Sequence, residues 1–141
     1  MRKLFFTIIA IALSGCATDA SDRHTDSLRQ SQHLRTERTL HMTFPEIQQA
    51  LFRHDRECGD APVFTMKEDE SSYATITEAN VDDMPWNRRI LIDLRWLEPS
   101  IRQETRTRAE VYSFYSNAQV KQRISAMFAA IERPEACRSD D

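Results

Sequence analysis

The chain has 141 residues, 40% of them hydrophobic and 9% aromatic, with a formal net charge of −3. This length fits one domain with a modest core, and the acidic balance argues against a nucleic-acid partner. Because the chain has two glycines, a barrel built on tight glycine turns is disfavoured, and we predict an ordered α+β domain.

The first feature in chain order is an N-terminal segment typical of secretion. Arg2 and Lys3 precede an apolar run from Leu4 to Leu13. About ten apolar residues match the centre of a signal peptide and are too few to cross a hydrocarbon layer of about 30 Å. An uncleaved N-terminal anchor or a buried strand is the alternative.

The segment that follows, Leu13-Ser14-Gly15-Cys16, resembles the lipobox of bacterial lipoproteins. The resemblance implies removal of a signal peptide at 1–15, a diacylglycerol thioether on Cys16 and acylation of the new amino terminus, with palmitate as the expected fatty acid. Two or three acyl chains bind a membrane stably, whereas one binds marginally. Ala17 stands where an aspartate marks inner-membrane retention in enterobacterial members. The resemblance therefore places the protein in the inner leaflet of the outer membrane, facing the periplasm.

The lipidated cysteine is followed by a predicted tether, so that residues 16–37 are assigned to cysteine and tether together. The segment is polar and contains only two leucines, Leu28 and Leu34, so it buries too little surface to fold alone. As a coil of about 20 residues it has a root-mean-square reach of about 25 Å. A short helix containing both leucines is the alternative. The single folded domain is predicted over residues 38–141.

A strand over residues 38–43 and a helix over residues 45–57 are predicted to open the domain. Thr43 is the predicted N-cap and Gly59 the predicted C-terminal cap. The apolar face of the helix has a spacing of three and four and consists of Ile47, Ala50, Leu51, His54 and Cys58. We expect His54 to be partly buried and hydrogen-bonded.

Alternation predicts four further strands, over residues 63–66, 73–78, 89–97 and 105–115. The third of these has the clearest pattern and is predicted to be the central strand. Ser116 or Asn117 then caps a closing helix that ends at Pro134. The apolar stripe of this helix consists of Val120, Ile124, Met127, Phe128 and Ile131.

The element order β-α-β-β-β-β-α predicts an antiparallel sheet with two helices packed on one face. This order is similar to the helix-grip arrangement of several small envelope lipoproteins. The likeness covers about 100 residues and rests on element order, so it implies a fold and not a function.

Two cysteines remain once Cys16 is assigned to lipid, and we predict that Cys58 and Cys137 form a disulfide in an oxidising compartment. Closing a loop of about 80 residues contributes about 4–5 kcal/mol in the chain-entropy description. A metal site that uses Cys58 and His54 is the alternative, but two ligands are too few to specify a metal. No metal or cofactor is predicted.

The candidate interaction face lies on the last two strands. Alternate positions gather its members, which are Arg95, Arg106, Arg108, Tyr112 and Phe114. Arginine and tyrosine are enriched at protein interfaces, and a basic patch also suits anionic lipid or glycan. The alternative is a solvated face whose arginines pair with Glu78, Asp93 and Glu110.

No motif of a known enzyme class occurs in the sequence, and no catalytic residue is assigned. We therefore predict a membrane-anchored envelope lipoprotein that acts as a non-enzymatic interaction or accessory module, with an envelope protein as partner. One alternative is a small-ligand module with a pocket between the sheet and the closing helix, lined by Trp96, Tyr115 and Phe128. Another is a hydrolase that uses His54 with Asp55 or Glu57.

Overall fold

The computed structural model describes residues 25–101 and 104–137. Within them, one antiparallel sheet has the strand order β1-β5-β4-β3-β2. The strands are β1 (Leu34–Leu40), β2 (Val63–Lys67), β3 (Glu70–Thr77), β4 (Ile90–Leu97) and β5 (Arg106–Ser113), and the long helices are α1 (Phe44–Cys58) and α2 (Ala118–Glu132). The predicted α+β fold is confirmed, and β4 is the central strand.

One face of the sheet packs against both helices, and residue alternation selects it. Ile92 lies opposite Val111 and Leu94 lies opposite Ala109, and all four side chains are fully buried. The predicted stripe of α2 is buried against them, together with the apolar side of α1. Burial of this apolar surface is the main favourable contribution to folding.

Helix α1 begins at Phe44, one residue before the predicted start, because Thr43 forms a capping box. The Thr43 hydroxyl accepts from the backbone N–H of Glu46, and the Glu46 carboxylate accepts from the backbone N–H of Thr43 at 2.7 Å. Gly59 ends the helix with a φ of 69°, a conformation that side-chain-bearing residues rarely adopt. Both predicted caps are confirmed.

The predicted start of the domain at residue 38 is wrong. Residues 25–28 are helical, and Leu28 is only 2% exposed because it packs against Leu91 and Tyr112 on the sheet face away from the helices. Strand β1 begins at Leu34, since pairing with β5 extends it toward the amino terminus. Residues 25–37 therefore belong to the folded domain.

Cys58, at the end of α1, and Cys137, beyond α2, form the predicted disulfide, with Cα atoms 5.2 Å apart. The bond joins the ends of two helices that also contact each other. No helix among residues 25–101 and 104–137 has the length and apolar character needed to cross a membrane. The predicted signal peptide and Cys16 lie outside the described residues.

Candidate functional site

The sheet face opposite the helices carries the predicted interaction face, but the structure divides it. Arg95 lies directly opposite Arg108, and Arg106 lies one row further along. Tyr112 is only 9% exposed because Leu28 packs on it. Three arginines (Arg95, Arg106 and Arg108) thus form a basic end, and Phe114 lies at the other end of the strands.

An ion pair fixes the segment around Leu28, which divides the predicted interaction face. Arg29 donates from Nε to Oδ2 of Asp93 at 2.8 Å and from Nη2 to Oδ1 at 3.2 Å. Burial lowers the pKa of Arg29, but the hydrogen bond and charge of Asp93 raise it by more. Burial and the hydrogen bond to Asp93 also raise the pKa of Tyr73 to about 12. The charge of the Asp93 carboxylate is thus compensated within the domain by Arg29.

Two acidic residues, Asp93 on β4 and Glu110 on β5, lie directly opposite each other. Like charges in this position are destabilising unless they are compensated. Arg29 compensates Asp93, and Glu110 accepts a hydrogen bond from the Tyr112 hydroxyl at 2.9 Å. Burial, followed by this hydrogen bond, raises the pKa of Tyr112 to about 12.

The next row along the strands holds a basic pair, Arg95 opposite Arg108. Of the two, only Arg108 has a carboxylate partner in the described residues. Arg108 donates to Glu37 at 2.7 Å and also pairs with Glu110 at 3.0 Å. Within the described ranges, no carboxylate forms an ion pair with Arg95, which is exposed. The predicted pairing with Glu110 is therefore found for Arg108, whereas Asp93 and Glu78 pair with arginines from other elements.

The other end of the strands carries an aromatic end that comprises His33, Trp86, Phe114 and Tyr115. Phe114 lies edge-on to Trp86, with ring centroids 5.5 Å apart, and edge-on to Tyr115, at 5.1 Å. Phe114 is 40% exposed and Tyr115 42% exposed. Of these four rings, only Phe114 belongs to the predicted interaction face. His33 and Trp86 come from distant positions in the chain, and Tyr115 belongs to the alternative predicted pocket.

A cleft of about 710 Å³ opens beside Tyr115, between the start of α2 and the segment before β4. Its polar lining includes Asn80, Arg88 and Asn117. Arg123 borders the cleft and is held by Glu78, whose Oε1 accepts from Nε at 2.7 Å. The cleft thus lies between the aromatic end and polar side chains, of which Arg123 is held in place by Glu78.

The predicted pocket between the sheet and α2 is wrong. Phe128 is buried in the core, and the Arg38 guanidinium lies 4.3 Å from its ring centroid. Trp96 and Tyr115 lie at opposite ends of the sheet, so the three residues do not converge. Side chains of both layers, including Ile92 and Ile124, fill the space between them.

His54 is partly buried and hydrogen-bonded, as predicted. Its Nδ1 lies 2.9 Å from the carbonyl oxygen of Pro134, and since a carbonyl only accepts, Nδ1 carries the hydrogen. Within the described chain, neither Asp55 nor Glu57 forms a hydrogen bond with His54. The alternative metal site of Cys58 and His54 is contradicted, because Cys58 is in the disulfide and cannot bind a metal as a thiolate. Among the described residues, no group of three metal-binding side chains occurs.

No protein family, curated protein or solved structure matches this chain. The fold defines an α+β domain with a two-helix layer and a divided polar face. The candidate site comprises two separate surfaces, the basic end and the aromatic end with its cleft.

Proposed function

We propose that the protein is a bacterial envelope lipoprotein, anchored through acylated Cys16 in the inner leaflet of the outer membrane, that binds another envelope protein without catalysis. The lipobox-like segment at 13–16 supports the anchor. The observation that carries the interaction is the aromatic end, with two half-exposed rings beside a cleft of about 710 Å³.

The aromatic end has the composition and rigidity of a binding surface. Aromatic rings contribute large contact areas and lose little side-chain entropy on binding, and they dominate interface energetics. Phe114 is held edge-on by both Trp86 and Tyr115, and Trp86 packs against the cluster that contains Leu28. The rings are therefore ordered before a partner arrives, which reduces the cost of association.

The cleft adds polar specificity to this apolar contact. Arg88 and the amides of Asn80 and Asn117 line it, and they suit the backbone and polar side chains of a protein segment. We expect an aromatic or aliphatic side chain of the partner to pack on Phe114 while neighbouring polar groups enter the cleft.

Photocrosslinking in intact cells tests the interaction. A photoreactive residue at Tyr115 is expected to give a discrete crosslinked protein, and Phe114→Ala is expected to abolish it. The matched control is a photoreactive residue at Phe52, which is exposed on α1 in the helix layer. Equal crosslinking at Tyr115 and Phe52, or none at Tyr115, contradicts the proposed site.

Mass spectrometry of the purified, unreduced protein tests the anchor separately. The full-length chain, expressed in a lipoprotein-processing bacterium, is expected to yield a mature form that begins at lipidated Cys16. Cys16→Ser is expected to remain unprocessed and to leave the outer-membrane fraction. A soluble or unprocessed parent protein contradicts the proposed anchor.

A small polar ligand is the second candidate occupant of the cleft, favoured by the volume of the cleft and by Arg88 on its wall. Arg88→Gln and Asn80→Ala are expected to weaken binding of such a ligand while Phe114→Ala leaves it intact. The opposite pattern favours a protein partner.

A further inference from the structure

We propose that the basic end docks on the anionic headgroups of the membrane, which leaves the aromatic end turned away from the lipid; the proposal rests on the proposed anchor at Cys16. The length of the attachment, the charge of Arg95 and the exposed apolar side chains at the same end of the sheet support this orientation.

The attachment between lipid and domain is short. Eight residues separate Cys16 from Thr25, where the described domain begins. Even fully extended, this stretch spans about 30 Å at most. A compact domain of about 110 residues has a radius of gyration of about 13 Å, so the limit is close to its own diameter. The domain is therefore confined near the headgroups, where a weak surface contact is populated as an intramolecular event.

The charge of Arg95, within the basic end, is complementary to phosphate. Arg95 and Arg108 lie directly opposite each other on adjacent strands. Glu37 and Glu110 neutralise Arg108, whereas Arg95 has no ion-pair partner in the described part of the chain. A planar guanidinium binds a phosphate oxygen pair well, and each basic side chain near an anionic surface strengthens membrane attraction about fivefold.

Exposed apolar side chains lie at the same end. Strand β4 ends at Leu97, which pairs with Arg106 at the start of β5, so the described residues 98–101 follow the strand beyond the basic end. Ile101 in this segment is fully exposed, and Trp96, at the same end of β4 but on the opposite face of the sheet from Arg95, is 36% exposed. Tryptophan favours the headgroup region of a bilayer, where an exposed aliphatic side chain can also leave water.

This orientation separates the two surfaces of the protein. A strand of eight residues is about 26 Å long, and the aromatic end lies at the far end of β5. Docking through Arg95 and Ile101 therefore turns Phe114 and its cleft toward the compartment. A protein partner can then reach them while the anchor holds the domain on the lipid.

The two tryptophans of the chain report these opposite ends. The lipidated protein is reconstituted in vesicles of phosphatidylethanolamine and phosphatidylglycerol that carry a nitroxide on the headgroup. Trp86→Phe leaves Trp96 as the only emitter, and Trp96→Phe leaves Trp86. We expect the nitroxide to quench Trp96 severalfold more strongly than Trp86, and to quench Trp96 less in phosphatidylcholine vesicles.

Paired surface variants then test the cause. Arg95→Gln is expected to lower the ratio of docked to undocked protein about fivefold, and adding Ile101→Ser lowers it further. The matched control, Lys121→Gln with Phe52→Ser, removes one exposed charge and one exposed apolar group from the helix layer. It is expected to leave quenching unchanged, and circular dichroism checks that each variant is folded.

The outcomes separate docking from anchoring. Equal quenching of the two tryptophans, or quenching of Trp96 that is independent of Arg95, overturns the docking proposal. An Arg95-dependent crosslink to a protein in cells, without lipid quenching, also overturns it. A mass without lipid on Cys16 contradicts the proposed function. Because the docking contact depends on the anchor, such a product overturns docking as well, whereas a lipidated protein without Arg95-dependent quenching overturns docking alone.

Discussion

Arg29 and Asp93 are joined by two hydrogen bonds across 64 positions of sequence, at 2.8 and 3.2 Å. The pair holds the segment that carries Leu28 on the sheet face opposite the helices. Because Asp93 is buried, its charge needs this partner. The same contact therefore stabilises the central strand and fixes where the domain begins.

Removal of the Arg29 guanidinium is predicted to destabilise the domain. Arg29→Met leaves the Asp93 carboxylate buried without a cation, and we expect the free energy of unfolding to fall by about 2 kcal/mol. Urea unfolding monitored by circular dichroism measures the change. Loss of the ion pair should also loosen the packing of Leu28, which is expected to appear as faster amide hydrogen exchange in residues 25–30.

Two companion variants make this prediction specific. Arg56→Gln removes an exposed arginine on α1 and is expected to change stability by less than about 0.5 kcal/mol. Arg29→Met with Asp93→Asn removes both charges and is expected to recover part of the loss. If Arg29→Met behaves like Arg56→Gln, the ion pair does not fix the segment.

Stability is predicted to fall at alkaline pH because of Tyr73 and Tyr112. Burial, followed by hydrogen bonds to carboxylates, raises both pKa values from 10.0 to about 12. The folded state thus holds the phenolic protons more tightly than the unfolded chain. This contribution is complete below pH 10 and is lost as the pH rises through about 12.

Unfolding measured at a series of alkaline pH values checks the effect. The double variant Tyr73→Phe with Tyr112→Phe is expected to show a smaller decline between pH 10 and 12 than the parent protein. Phenolate absorbance of the folded parent should show both groups ionising late. An identical decline in the parent and the variant would assign the pH dependence to other groups.

The capping box of α1 is predicted to contribute about 1 kcal/mol. Thr43→Ala removes the hydroxyl that accepts from the Glu46 N–H, while the backbone N–H of Thr43 can still donate to the carboxylate. Those two donors from Thr43, the backbone first, lower the pKa of Glu46, so we expect Thr43→Ala to raise that pKa only partly. Denaturation and a carbon-detected titration measure both changes.

Ser125→Ala, an exposed change within α2, is the matched control for Thr43→Ala. Its expected effect is a few tenths of a kcal/mol. Because the Glu46 pKa is lowered in the folded state, its contribution is present above the ordinary value and is lost as the pH falls through the folded value. A pH-independent loss in Thr43→Ala would contradict a role for the carboxylate.

Loss of the disulfide is predicted to be the largest single effect outside the core. Cys58→Ser with Cys137→Ser opens a loop with a sequence separation of 79, and we expect stability to fall by about 4–5 kcal/mol. Denaturant unfolding with and without reductant measures it. Reductant should weaken the parent protein and leave the double variant unchanged; equal sensitivity would indicate that the bond is not formed.

Local patterns in the sequence were sufficient for the helix-covered face. Alternation at Ile90, Ile92 and Leu94 predicts which side of β4 is buried, and Thr43 with Gly59 predicts the limits of α1. These signals succeed because burial on one face and orphan backbone groups at helix ends act within a few residues. The cysteine pairing follows similarly from the positions of two helix ends.

The opposite face was predicted less well because its structure depends on distant residues. Leu28 lies in a polar segment with no periodic pattern, and its burial requires Leu91 and Tyr112 from two central strands. The same contact hides Tyr112, which sequence alternation assigns to an open surface. The partners of Asp93 and Glu78 likewise come from the amino-terminal segment and α2, so charge patterning along one strand does not reveal them.

The bond between Cys58 and Cys137 encloses β2, β3, β4, β5 and α2 within one covalent loop. A single cut anywhere in that loop, including the exposed connection at Ile101, leaves two polypeptides that are still one molecule until a reductant acts. Proteolytic nicking of such a chain sheds nothing into the surrounding compartment. A single cut therefore releases a fragment only after the disulfide has also been broken.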